Sequence, residues 1–228
     1  MQINSIQAVI FDMDGLLVDT EPLWRKAMVN QFCKAGISFT EQDCRLTTGM
    51  RFLEVVRYWN QRRPFLHMTV QQVYDAVIEN LCELIAKSEV EMPGAFDAIN
   101  CCKINGISIG LATSSASAIV STVLRKIGAE KYFQSVISAE HLPFGKPHPQ
   151  VFLDCAESLR VNPQNCLVLE DSVNGVIAAK AAFMSVIAIP DQHNFNDQRF
   201  SIADYKINNL GDFPSLLNQI SGEVSAAT

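Results

Sequence analysis

The chain has 228 residues, 48% apolar and 18% charged, enough for one full core and a modest insert, and general disorder is excluded. Eighteen Lys and Arg face 24 Asp and Glu for a net charge of −6 with no basic stripe, so neither nucleic acid nor a membrane is an expected partner. The opening Met1-Gln2-Ile3-Asn4-Ser5-Ile6 has no basic leader pattern, no run reaches the ~18 apolar residues of a membrane helix, and the cysteines (Cys33, Cys44, Cys82, Cys101, Cys102, Cys155, Cys166) form no C-x-x-C pair. A cytoplasmic protein with reduced cysteines is expected, without zinc or disulfides.

The first element, Ile6-Gln7-Ala8-Val9-Ile10-Phe11, is apolar and ends abruptly at Asp12, which predicts a buried strand. From Pro22 to about Leu84 apolar residues recur at helical spacing: Leu23, Ala27 and Met28; Phe52, Val55, Val56 and Trp59; Val70, Val73, Val77, Leu81 and Leu84. Helices are expected there, one of them beginning at Gly49-Met50-Arg51. After Pro93-Gly94 strands and helices alternate. Helix Ala95–Asn105 leads to strand Ile107–Ala112, and helix Ala116–Ile127 to strand Ser135–Ser138. A helix ending near Leu159 leads to strand Cys166–Leu169, and helix Val173–Ala182 to strand Ser185–Ile189. The small, polar tail Gly222–Thr228 is expected to fray.

Such alternation predicts an α/β fold: a doubly wound, mostly parallel Rossmann-like sheet with a small helical cap inserted after the first strand. The expected division is a core of residues 1–18 and 87–228 and a cap of residues 19–86.

In an open parallel sheet, ligands bind beyond the carboxyl ends of the strands. Four chemically loaded segments fall at or just after strand ends: Asp12-Met13-Asp14-Gly15, Thr113-Ser114-Ser115, Phe144-Gly145-Lys146-Pro147 and Glu170-Asp171-Ser172. Taken singly, each is an ordinary turn, helix cap or loop. Their shared position in the fold is what points to one site. Four crowded carboxylates, Asp12, Asp14, Glu170 and Asp171, call for a cation, and an oxygen-only donor set suits Mg²⁺ rather than Zn²⁺. Lys146 is a compact positive charge suited to phosphate. Thr113 and the Ser114 amide precede a helix start, a natural anion site. Together they point to phosphoryl transfer. Asp12 can serve as a carboxylate nucleophile, and Asp14 as the acid that protonates the leaving oxygen and the base that later activates water.

These segments resemble the haloacid dehalogenase superfamily, whose four motifs are matched in order by Asp12-Met13-Asp14-Gly15-Leu16-Leu17-Val18-Asp19-Thr20-Glu21, Leu111-Ala112-Thr113-Ser114-Ser115, Lys146-Pro147-His148-Pro149 and Leu169-Glu170-Asp171-Ser172-Val173-Asn174-Gly175. The resemblance covers nearly the whole chain and is strongest to the β-phosphoglucomutase-like branch, especially its bacterial phosphatases of 2-deoxyglucose 6-phosphate and hexitol phosphates. It implies Asp12 as nucleophile and Mg²⁺ ligand, and Asp14 as general acid/base and, through its carbonyl, a ligand. It implies Thr113 and the Ser114 amide as phosphoryl holders and Lys146 as the neutralising charge. Asp171 is implied as a metal ligand, with Glu170 a direct or water-mediated one. Arg51 is a candidate anchor for the distal part of the substrate, by analogy only.

Dehalogenases of the superfamily lack the second Asp and need no Mg²⁺. Phosphonatases use a cap lysine, and between Thr20 and Leu84 the chain offers only Lys26 and Lys34. In β-phosphoglucomutases a cap histidine four residues after the threonine matching Thr20 helps control proton transfer. Trp24 stands there, and an indole cannot exchange a proton near neutrality. The expectation is a Mg²⁺-dependent phosphatase of small sugar phosphates, monomeric or a weak dimer. The alternatives are a β-phosphoglucomutase-type isomerase and a catalytically inactive sugar-phosphate-binding protein.

Overall fold

The computed structural model describes residues 6–47 and 50–226. Among them six strands form one parallel sheet: β1 (Ala8–Phe11), β2 (Ser108–Thr113), β3 (Ser135–Ser138), β4 (Cys166–Glu170), β5 (Ser185–Ala188) and β6 (Tyr205–Lys206). The spatial order is β3-β2-β1-β4-β5-β6, every neighbouring pair parallel. The order reverses beside β1, so the crevice between the ends of β1 and β4 is the natural ligand site.

Both faces of the sheet are covered, which is why its strands read as continuous apolar runs rather than alternating ones. Val9, Phe11, Ile109, Leu111, Leu167 and Leu169 face a core completed by α5 (Ala95–Ile104), α6 (Ser117–Lys126) and α9 (Phe213–Ala226). Ala8, Ile10, Ala112 and Val168 face the other, under α7 (Gln150–Leu159) and α8 (Val173–Ala181).

Between β1 and α5 lie four helices: α1 (Glu21–Lys34), α2 (Glu41–Arg45), α3 (Phe52–Arg62) and α4 (Val70–Lys87). Pro22 opens α1 at a position where no amide is needed. Thr69 and Gln72 cap α4 reciprocally, the Thr69 hydroxyl accepting from the Gln72 amide at 3.2 Å and the Gln72 side chain from the Thr69 amide at 2.8 Å. The helices close on an aromatic cluster in which Phe32 meets Phe39 at 4.5 Å and Phe39 meets Trp59 edge-on at 5.1 Å. The two chain passages between this block and the sheet run side by side. The Asp19 amide donates to the Val90 carbonyl at 2.8 Å, and Met92 donates to Leu17 at 2.9 Å.

The expected elements are present with boundaries moved by one to three residues. β1 begins at Ala8 rather than Ile6, and β2 and β4 run one residue further than expected, to Thr113 and Glu170. The cap helix expected from Gly49 begins at Phe52 with Arg51 as its N-cap; Gly49 itself lies outside the described residues. β6 and α9 are additions to the expected set, and α9 continues through Ala226 where fraying is expected from the tail's composition. Pro214 in its first turn, with Phe213, Leu217 and Ile220 buried one helical turn apart, accounts for α9.

Candidate active site

Asp12 follows the last residue of β1, and its amide still donates to the Leu169 carbonyl at 3.0 Å, so the sheet itself fixes its direction. Its side chain meets Lys146 from the loop before α7. Lys146 Nζ donates to Asp12 Oδ1 at 2.5 Å, to Glu170 Oε1 at 2.6 Å and to the Ala112 carbonyl at 3.1 Å. Three strand ends are thus tied together by one ammonium group.

Glu170 closes β4 and is 0% exposed. Its other oxygen, Oε2, accepts from the Ser172 amide at 2.9 Å and hydroxyl at 3.0 Å, while the Ser172 hydroxyl accepts from the Gly175 amide and caps α8. A methyl group on Gly175 would run into the Glu170 carboxylate. The glycine lets the helix start approach that close. Gly15 has the same function for Asp171. It turns the chain at φ +80°, and a Cβ there would strike the Asp171 carboxylate.

Asp12, Glu170 and Asp171 each bring an oxygen within 4.8 Å of the other two. Burial drives the Asp12 carboxyl up to about 7, with Lys146 opposing and the Glu170 and Asp14 charges adding to the rise. Asp171 is pushed well above the ordinary range by burial, then by the charges of Glu170 and Asp12. Burial works against the Lys146 charge, but Asp12 and Glu170 outweigh it and hold the amine protonated. One lysine does not balance this many carboxylates. An oxygen-only, over-charged group of this size is what a hard divalent cation requires, so the donor set fits Mg²⁺.

Asp14 points elsewhere. The Thr20 hydroxyl donates to its Oδ1, and the Ser115 hydroxyl to its Oδ2 at 2.6 Å. Its carboxylate is therefore held by two hydroxyls and stands outside the three-carboxylate group. Thr113 ends β2, 1% exposed, and its hydroxyl accepts from the Ser115 amide at 3.1 Å. Ser114, between them, is exposed. Helix α6 starts only at Ser117, whose amide is already taken by Glu140 Oε2 at 3.0 Å. The Ser115 and Ser117 amides are thus both engaged within the protein, so an anion at this loop would have to meet amides ahead of the helix rather than the helix end.

The sequence motifs single out Thr113 and Ser114 but give no role to Ser115 and Thr20, which set Asp14. Both lie inside those motifs, and a short hydroxyl side chain beside a carboxylate is the signal that marks them. Trp24, one turn after Thr20 on the same face of α1, packs on Phe52 with ring centroids 5.0 Å apart. Arg51 donates through Nε and Nη2 to Glu54 Oε1 at 2.9 and 2.6 Å, and through Nη1 to the Leu142 carbonyl at 2.9 Å. Its guanidinium spans from the cap to the loop that carries Lys146.

Sheet and site together define a doubly wound hydrolase core with a carboxylate–lysine centre. The family model for haloacid dehalogenase-like hydrolases matches residues 6–182, and the chain belongs to that family, as a phosphatase. It is 41% identical over 208 residues to hexitol phosphatase B of Escherichia coli, covering 91% of this chain and 94% of that one. It is 32% identical over 187 residues to a phosphorylated carbohydrates phosphatase of Thermotoga maritima, covering 78% of this chain and 82% of that one. The crystal structure of β-phosphoglucomutase from Clostridium difficile superposes with a TM-score of 0.81 at 25% identity, over 97% of this chain and 99% of that one. Among the described residues no helix is long and apolar enough to cross a membrane.

Proposed function

We propose that the chain is a cytoplasmic, Mg²⁺-dependent phosphomonoester hydrolase of small sugar phosphates: a hexose 6-phosphate, 2-deoxyglucose 6-phosphate or a hexitol phosphate. The observation that carries this reading is the Lys146 ammonium bridging Asp12 and Glu170 beside the Thr113–Ser115 loop. The relatives named for hexitol phosphates and phosphorylated carbohydrates support the substrate class.

Asp12, Glu170 and Asp171, with the Asp14 carbonyl, would hold Mg²⁺. When bound, the ion neutralises carboxylate and phosphate charge so that nucleophile and phosphorus can approach. In the proposed reaction an Asp12 oxygen attacks phosphorus, forming an aspartyl-phosphate as the bond to the sugar oxygen breaks. Asp14 gives that oxygen its proton. Asp14 then takes a proton from water, whose oxygen displaces Asp12 and leaves inorganic phosphate. Thr113 and the Ser114 amide hold the phosphoryl oxygens, and Lys146 offsets their charge.

The proposed units are the core, residues 1–18 and 87–228, and the cap, residues 19–86. The joins near residues 19–21 and 84–92 would act as hinges between them, with the Asp19 and Met92 amides hydrogen-bonded to the Val90 and Leu17 carbonyls. The proposed working unit is a monomer or weak dimer. Trp24 packs on Phe52 where a mutase would need a proton-exchanging group, which favours hydrolysis over isomerisation.

A panel of sugar phosphates assayed for phosphate release tests the reading. Release should need Mg²⁺, stop with EDTA, and return poorly with Ca²⁺, whose looser coordination misplaces the phosphate. Phosphorus NMR on β-glucose 1-phosphate, with and without its 1,6-bisphosphate, separates hydrolase from mutase. Accumulating glucose 6-phosphate with little free phosphate would overturn hydrolysis.

A further inference from the structure

We propose that Tyr74 and Glu140 form a joint through which the cap sets the Thr113–Ser115 loop, and that both are positioning residues for phosphoryl transfer. This rests on the reading that the loop holds the phosphoryl group.

Glu140 lies in a single helical turn, Ala139–His141, directly after β3. Each of its carboxylate oxygens has a different partner. Oε1 accepts from the Tyr74 hydroxyl of cap helix α4 at 2.8 Å, and Oε2 from the Ser117 amide that opens α6 at 3.0 Å. Its own amide donates to Ser138 Oγ at 3.1 Å, and Ser138 Oγ donates to the Ser115 carbonyl at 2.6 Å. Ser115 then holds Asp14 through its hydroxyl and Thr113 through its amide. Hydrogen bonds joined through the residues Glu140, Ser138 and Ser115 therefore link a cap phenol to the carboxylate read as the general acid.

The phenol is placed by stacking. Tyr74 lies against Phe52 at 5.4 Å with 30° between the rings, and Phe52 against Trp24. Burial alone would raise the Glu140 carboxyl, but the Ser117 amide and the Tyr74 hydroxyl outweigh it and hold the group below its ordinary range. The acceptor is thus an ion, and hydrogen bonds to ions are the stronger kind. The Tyr74 bond forms only when the cap sits over the core as it does here. Cap position is converted into a fixed loop, and a fixed loop is worth most in the transition state.

The test uses the full-length protein with Mg²⁺ and compares Tyr74→Phe, Glu140→Gln, Glu140→Ala and the Tyr74→Phe/Glu140→Ala pair. Tyr58→Phe serves as the control, a second cap tyrosine whose ring packs under Arg62. Tyr74→Phe should lower kcat about tenfold on both sorbitol 6-phosphate and p-nitrophenyl phosphate, with KM changed by less than about twofold. In the Glu140→Ala background it should add less than about twofold, because the partner is already gone. Glu140→Gln should recover part of the loss seen with Glu140→Ala, since its amide can serve both neighbours. Independently of activity, hydrogen–deuterium exchange over residues 114–119, read with inorganic phosphate present, should speed up in Tyr74→Phe and not in Tyr58→Phe, at unchanged melting temperature. Unchanged exchange in Tyr74→Phe, or fully additive losses in the double variant, would overturn the joint. If the parent protein releases no phosphate from any sugar phosphate, the functional reading falls while the exchange result still decides the joint.

Discussion

On the core wall of the site, Asp12, Lys146 and Glu170 satisfy one another within 2.6 Å and lie almost wholly out of water. On the cap wall, Trp24, Phe52 and Tyr74 stack ring on ring and stay half-buried. The core wall is charged, over-determined by hydrogen bonds and built from strand ends. The cap wall is apolar, held by packing, and touches the core through Arg51 and Tyr74. Charge arranged this tightly suits a reacting group that never varies. Aromatic surface on helices suits a leaving group that does. On the proposed reading the reacting groups belong to the sheet, selection would belong to the insert, and Tyr74 couples the two.

The sharpest way to break that division is to remove the nucleophile. Asp12→Asn should lower kcat by on the order of 10⁴–10⁶, the scale for loss of a covalent nucleophile, equally for every substrate. Its readout is single-turnover phosphate release, with fluoroberyllate trapping on the parent as the positive control; an adduct on a serine would reassign the chemistry. Next in size, Lys146→Ala should cost about 10²–10³ in kcat, since one ammonium serves two carboxylates and a phosphate. A loss under about threefold in steady-state assays would reduce Lys146 to a loop residue.

A smaller effect tests how closely the core wall is packed. Gly175→Ala should destabilise by about 1–3 kcal/mol, because the new methyl must displace the Glu170 carboxylate or the start of α8. Urea denaturation reads the stability, and the same variant should lose activity; an unchanged midpoint would mean that α8 can move freely. The smallest effect belongs to the cap wall. Trp24→Ala should cut kcat/KM on a hexitol phosphate roughly fivefold more than on p-nitrophenyl phosphate, as a lost apolar contact to the sugar part would, beyond any shared loss from loosening the stack on Tyr74. Equal losses on both would assign Trp24 to cap packing rather than to selection.

The same contrast explains which parts of the molecule are legible in the amino-acid sequence alone. The charged wall is legible because its residues are short in sequence and fixed by strand ends: a run of apolar residues stops, and the carboxylate after it has only one place to go. Even there, the different orientations of Asp12 and Asp14 depend on Gly15 and on hydroxyls from Thr20 and Ser115. The cap wall is hardly legible. Helical spacing reveals its helices, but the pairing of Tyr74 with Glu140, 66 residues apart, and of Arg51 with the Leu142 carbonyl, 91 apart, are tertiary facts with no local signature. β6 is two residues long, too short for any alternation to show, and it exists because Ile187 and Ala188 offer it an edge.

The place of β1 at the centre of the sheet has a further consequence, for how the chain is made. Ala8 pairs with Ser108 on one side and with Cys166 on the other. The ribosome needs on the order of ten seconds to synthesise the stretch between those partners. The first apolar strand to emerge therefore waits, unpaired on both edges, while the helical insert has most of its own contacts close at hand and can collapse early. Newly made chains should thus carry a sticky, unfinished sheet, and be most exposed to aggregation until Cys166–Glu170 has left the exit tunnel.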